Sequence, residues 1–152
     1  SSKLNLWDDR IEAALDLLCM LLAQTWGGNS GVLRGATGDD LAVQATPTPS
    51  LSVQVQPGYA FIGGYPFRTL ASLETTDVIP PTTHPRIDLV QASIHGWNAT
   101  LKTGTEAAAP TAPTPDPDCI PLAQLHLRPG MGSIKNTDDG IHGYIVDIRT
   151  FL

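Results

Sequence analysis

His-Pro-Arg-Ile-Asp-Leu-Val-Gln-Ala-Ser-Ile, residues 84 to 94, reads as a central β-strand. Pro85 stops any preceding helix from running through it. Ile87, Leu89, Val90 and Ile94 supply the branched apolar surface of a pleated, buried element. Residues two apart share a face, so Arg86 and Asp88 point to the same side. No nucleophile or metal set accompanies them, so the spacing predicts a structural salt bridge or loop anchor in preference to a catalytic pair.

Outward from this strand the chain divides into three parts. Residues 1–27 carry a helix for docking or oligomerisation, 28–40 form a Gly-rich linker, and 41–152 form a β domain. The predicted helix spans 5–25, with Asn5 as N-cap, Asp8, Asp9 and Glu12 loading the first turns, and Gly27-Gly28 as the stop. Trp7, Ile11, Ala14 or Leu15, Leu18, Leu21 or Leu22 and Thr25 recur at steps of three and four. This wide apolar stripe lies across the β domain, packs against copies of itself, or does both. For self-association the expected interface is Trp7, Ile11, Leu15, Leu18 and Leu22.

Residues 27–40 hold five glycines but neither the Gly-Lys-Ser/Thr ending nor the preceding strand of a phosphate-binding loop. From Leu41 the period becomes two: Leu41, Val43 and Ala45, then Leu51, Val53 and Val55, alternate with polar neighbours as half-buried antiparallel strands do. Tyr59 to Ile62 and Tyr65 to Arg68 flank Gly63-Gly64, a hairpin signal, and Pro66 confines the second strand to an edge. A strand is expected over 70–74, and another from Trp97 to Leu101. Residues 102–118, with prolines at 110, 113, 115 and 117, predict an extended surface loop. Ile120 to Leu127, Ser133 to Lys135 and Tyr144 to Ile148 read as the remaining strands. The apolar end Phe151-Leu152 suits a docked terminus or a fragment of a longer protein. The fold class is α+β: an N-terminal amphipathic helix followed by an antiparallel β-sandwich or barrel-like domain.

A chain of 152 residues with 41% hydrophobic and 16% charged residues has the composition of a folded domain with few surface charges. Nine Lys and Arg against a net charge of −6 argue against nucleic-acid binding. Glu12 and Asp16 interrupt the N-terminal apolar run, and Asp8 and Asp9 stand where a signal peptide is positive. Neither membrane insertion nor secretory export is expected. Cys19 reads as a small core residue, and a bridge to Cys119 as a minor alternative. His84, His95, His126 and His142 match no metal signature, and no nucleophile elbow is present. Asp39, Asp40, Asp116, Asp118, Asp138 and Asp139 fall in predicted turns, where Asp bonds its own backbone. No cofactor, metal or catalytic residue is expected, and the chain reads as a binding or structural protein, not an enzyme.

Five motifs in order, residues 52–64 (Ser-Val-Gln-Val-Gln-Pro-Gly-Tyr-Ala-Phe-Ile-Gly-Gly), 84–90, 103–115, 120–125 and 145–149 (Ile-Val-Asp-Ile-Arg), resemble the virion-attachment domains of tailed-bacteriophage baseplate and tail-fibre proteins. The resemblance spans about 41–149 and implies a structural virion protein. Such a β domain joins a tail fibre or receptor-binding component to the distal tail, commonly as a trimer, and is assembled in the bacterial cytoplasm. It implies other tail or baseplate proteins as partners and no catalytic residues. Many relatives continue past the Asp-Ile-Arg motif, whereas this sequence stops three residues later, which points to an adaptor, a decoration subunit or a fragment. The alternative is a carbohydrate-binding module for host adsorption, with Trp97, Tyr59, Tyr65 or Trp26 as stacking platforms. A cell-wall glycan hydrolase would need two carboxylates brought together from separate loops.

Overall fold

In the computed structural model, which describes residues 2–25 and 29–152, one helix precedes eleven strands. Helix α1 is Ser2–Thr25. The strands are β1 Gly31–Val32, β2 Val43–Ala45, β3 Val53–Val55, β4 Gly58–Ile62, β5 Tyr65–Thr69, β6 Leu73–Glu74, β7 Arg86–Ser93, β8 Asn98–Lys102, β9 Cys119–Leu127, β10 Ile134–Lys135 and β11 Gly143–Asp147. They form two three-stranded sheets, β1-β4-β5 and β2-β3-β6, and a five-stranded sheet in the order β10-β11-β9-β7-β8. The fold is therefore α+β with a barrel-like or sandwich β domain.

All eight residues of β7 are buried, as an apolar run with a neighbour on each side requires. The middle of the sheet is nevertheless β9, and β7 lies between β9 and β8. Pairing is antiparallel throughout, except that β10 runs parallel to β11 and Phe151 makes a parallel bridge to Val32. The β7–β9 register shifts between Val90 and Gln91, which pair with Ala123 and Pro121 and leave Leu122 as the extra residue. That irregularity accommodates Pro121, which has no N–H for the ladder, inside an interior strand.

Strand alternation divides β7 into two faces. Val90 and Ala92, with their partners Leu101, Ala99 and Ala123, face a core shared with Val53, Val55, Ile62 and Phe67 of the smaller sheets. Ile87, Leu89 and Gln91 face the other way. Strands β8 and β9 both run antiparallel to β7 on its two sides, so they are parallel to each other and their connection must cross over β7. Residues 103–118 make that crossover in extended form, which is why the outward face of β7 is buried too.

Several boundaries differ from the sequence reading. The helix begins at Ser2, so Asn5 lies inside it and Asp8, Asp9 and Glu12 fall beyond its first turn. The Gly27-Gly28 stop and Trp26 lie outside the described residues, as does the side chain of Cys19; Cys119 is a free thiol. Gly31–Val32, within the expected linker, pairs with Phe61 and Ala60 and belongs to the β domain. The expected strand over 70–74 is reduced to Leu73–Glu74. Hairpin β4–β5 turns at Gly63 and Gly64, whose φ of 60° and 83° fit a two-residue turn with both central residues left-handed, and β5 with Pro66 is a sheet edge.

Leu41, expected in a strand, instead has a φ of 53°. A left-handed conformation costs a bulky residue about 1–2 kcal/mol, but Leu41 is fully buried in the core. Complete burial of a leucine contributes about 1.5–3 kcal/mol, so packing decides its conformation. At the other end of the chain, Thr150 and Leu152 bond both sides of Val32 (2.8 and 3.0 Å). The guanidinium groups of Arg34 and Arg149 lie 4.3 and 5.0 Å from the Phe151 ring centre, so the C-terminal residues dock on the edge of β1.

Candidate functional site

Helix α1 approaches the β domain through its C-terminal half, where Met20 meets Gly64 of the β4–β5 turn. At 100° per residue, Trp7, Ile11, Leu15, Leu18 and Leu22 project about 140–180° away from Met20. The apolar stripe is thus turned away from the domain that follows it. Trp7, Ile11, Leu15 and Leu18 are 68%, 52%, 55% and 49% exposed, and Leu22 is half-buried. Ile11 and Leu18 fall on one position of a seven-residue repeat, Trp7 and Ala14 on the other seam position, and Leu15 and Leu22 flank them. The seam is therefore wider than a two-helix contact needs. Asp8, Glu12 and Asp16 lie to one side of the stripe. Among the described residues, no helix is long and apolar enough to cross a membrane.

Arg86 and Asp88 form a buried fork: Nε and Nη2 of the arginine donate to the two carboxylate oxygens at 2.7 and 2.9 Å. Arg86 also donates to the Ile79 carbonyl (2.8 Å), and Asp88 accepts from the Gly104 N–H (2.9 Å). The pair thus ties the 76–79 loop to the start of the crossover. The pair borders a cavity of about 320 Å³ that Thr76, Asp77 and Thr103 also line, but its hydrogen bonds go to the loop and the crossover, as an anchor's do.

The Pro-rich crossover is fastened along its length. Glu106 accepts from the N–H groups of Thr82, Thr83 and His84, and Ala107 donates to the Pro85 carbonyl. Buried Gln91 bonds Asp116 twice, through its amide nitrogen (2.8 Å) and its amide oxygen (3.0 Å), while Lys102 reaches the same carboxylate (2.7 Å). At Gly104 a Cβ would lie 2.0 Å from the Ile87 carbonyl oxygen, which is backbone and cannot rotate away. Gly104→Ala is accordingly expected to lower stability by about 2–3 kcal/mol. Hydrogen exchange should then quicken at Ala107 and Asp116, and unchanged exchange there would show that the crossover is not held at Gly104.

A cleft of about 280 Å³ lies between Pro110 of the crossover and Tyr144. Its floor is His126, stacked on Tyr144 with ring centres 4.8 Å apart and planes 18° apart, and Arg128 lies over the same tyrosine. Sequence reading missed this set, since the pair comes from β9 and β11, eighteen positions apart and joined only by register. Arg128 is committed to Asp138 (2.7 Å) and to the His142 carbonyl (2.9 Å). The four histidines do not converge: His95 pairs with Asp118 and His142 with Asp139, and no group of three potential metal ligands exists among the described residues.

The turn carboxylates act on their own backbone and neighbours. Asp139 is held far below the usual carboxylate range by the His142 N–H, the His142 ring and the Ile141 N–H. Asp138 is lowered by the Gly140 N–H and by Arg128, Asp147 by Arg149, Asp116 by Lys102 and Gln91, and Glu106 by the N–H groups of Thr82 and His84. Burial lowers His126, and the charge of Arg128 adds to it. In every case the unfolded chain binds more protons than the folded one. Each contribution is therefore complete above the unfolded pKa, about 3.9 for Asp, 4.3 for Glu and 6.5 for His, and is lost as pH falls. Thermal melts from pH 7 to 3 are expected to show a falling midpoint, with a shallow first decline from His126 and a steep one below about pH 5. His126→Gln should remove the first decline only; a midpoint that rises on acidification would contradict these assignments.

Comparison with protein-family models, curated proteins and solved structures found no match to this chain.

Proposed function

We propose that this chain is a structural subunit of a phage tail or baseplate, assembling through α1 as a trimer and joining a fibre or receptor-binding component to the distal tail. One observation carries the assembly: Trp7, Ile11, Leu15 and Leu18 form a continuous apolar stripe, exposed and turned away from their own domain. An unpartnered stripe of this size marks a protein interface, because each large side chain left in water forgoes about 1.5–3 kcal/mol. A second copy of the same stripe is the complementary surface nearest to hand, and the three apolar positions per repeat favour more than two helices around the axis. The tail or baseplate setting rests on the five motifs. Light scattering on the whole chain tests the assembly, with three times the 16.1 kDa chain mass expected. A monomer at every concentration overturns it.

A further inference from the structure

We infer that Tyr59, Arg68 and Trp97 form a binding patch for a carboxylate-bearing saccharide, a contact function beyond assembly. Among the described residues, three other than glycine have left-handed backbone: Leu41, Trp97 and Asp118. Leu41 is held there by complete burial, and aspartate tolerates that conformation. Trp97, with a φ of 48° at the tip of the β7–β8 hairpin, has neither reason, since 40% of it is exposed. A large aromatic kept at a strained, exposed position is the kind of feature that marks a contact site.

Arg68 lies with its guanidinium 5.4 Å from the Trp97 ring centre. Arg86, Arg128 and Arg149 each bond an aspartate, whereas exposed Arg68 has no carboxylate partner among the described residues. Its cross-strand partner is Tyr59, and the Tyr59 carbonyl bonds Leu33 of the neighbouring segment instead of β5. The Tyr59–Arg68 pair is therefore the close, non-hydrogen-bonded kind, with both side chains on one face. Tyr59 is 49% exposed. The chain thus presents a cation without a carboxylate partner, lying over one face of the partly exposed Trp97 and beside the partly exposed Tyr59.

A pyranose suits this arrangement: its C–H face covers an aromatic ring, and a ring carboxylate meets the planar fork of the guanidinium. The net charge of −6 disfavours anionic ligands at long range, so recognition rests on the local Arg68 guanidinium and on stacking against the aromatic rings. Tyr65, 48% exposed, follows Gly64 on the same hairpin but pairs with Ile62 and adds no second cation.

The test is retention of the whole chain on immobilised acidic oligosaccharides and their neutral counterparts: trigalacturonate against α1,4-linked galactotriose, in which every carboxylate is a hydroxymethyl group, and sialyllactose against the same sugar with its carboxylate converted to the amide. Retention on at least one acidic member and on no neutral counterpart is expected. Arg68→Gln should lose at least tenfold in affinity. Trp97→Gly should lose as much while keeping or raising the thermal midpoint, because glycine relieves the strained backbone; this variant separates lost contact from lost folding. No retention on any acidic member, equal retention on neutral ones, or variants that bind as the parent does would each overturn the proposal. Binding is scored whether the chain is a monomer or a trimer, so the outcome does not depend on α1.

Discussion

On the proposed assembly through α1, replacing Ile11 and Leu18 together with aspartate is expected to leave a monomer of 16.1 kDa. Both residues lie on the exposed stripe of α1, one seven-residue repeat apart, so they face the same seam. Losing their burial removes about 3 kcal/mol or more per copy, on the order of a hundredfold in association for each protomer. Carboxylates facing each other across the axis then add repulsion. The β domain should not feel the change, because the helix meets it through Met20 on the opposite side. Its thermal midpoint is expected to stay within about 0.5 kcal/mol of equivalent stability, as for surface substitutions generally. An assembly that survives the double substitution would place the interface elsewhere, and a collapse of the β domain would show that α1 is structurally part of it.

The second large effect belongs to Asp88→Ala. It leaves Arg86, whose side chain is 10% exposed, with the Ile79 carbonyl alone, and leaves the Gly104 N–H without its acceptor. Breaking one partner of a buried ion pair costs about 3–5 kcal/mol, a large share of the 5–15 kcal/mol that holds a domain together. Urea unfolding should show the loss, and hydrogen exchange should show the crossover loosened from Gly104 onward. Replacing both members, Arg86→Met with Asp88→Leu, is expected to recover much of the stability, because no charge is then left buried. If the double variant is no better than the single one, the anchoring of the 76–79 loop and of Gly104 matters more than the charge balance. A cost below about 1 kcal/mol for Asp88→Ala would remove the pair from the framework altogether.

Much of the local structure was legible along the chain. The steps of three and four from Trp7 to Thr25 marked a helix, the run from Ile87 to Ile94 a buried strand, and Gly63-Gly64 the turn between two others. Legibility ended where a residue answers to something distant. Nothing near Leu41 in sequence predicts a left-handed leucine, since the reason is its place in the core. Gly31–Val32 looked like linker because its partners are Phe61 and Ala60, and the sheet role of so short a strand comes entirely from them.

The candidate sites divide in the same way. The membership of the α1 stripe followed from residue order, because helical geometry maps spacing onto a face without outside help. The direction in which that stripe points did not, since it depends on Met20 meeting Gly64. That Arg86 and Asp88 share a side is a property of any strand; that they hold Ile79 and Gly104 requires the folded loop. The meetings of Arg68 with Trp97, and of His126 with Tyr144, join residues from different strands. The sequence by itself therefore determined the helix, the hairpin and strand β7, whose causes lie between near neighbours. Only the tertiary structure decided the crossover over β7, the outward stripe and the Tyr59, Arg68 and Trp97 patch, because those arise from strand pairing and shared burial across distant parts of the chain.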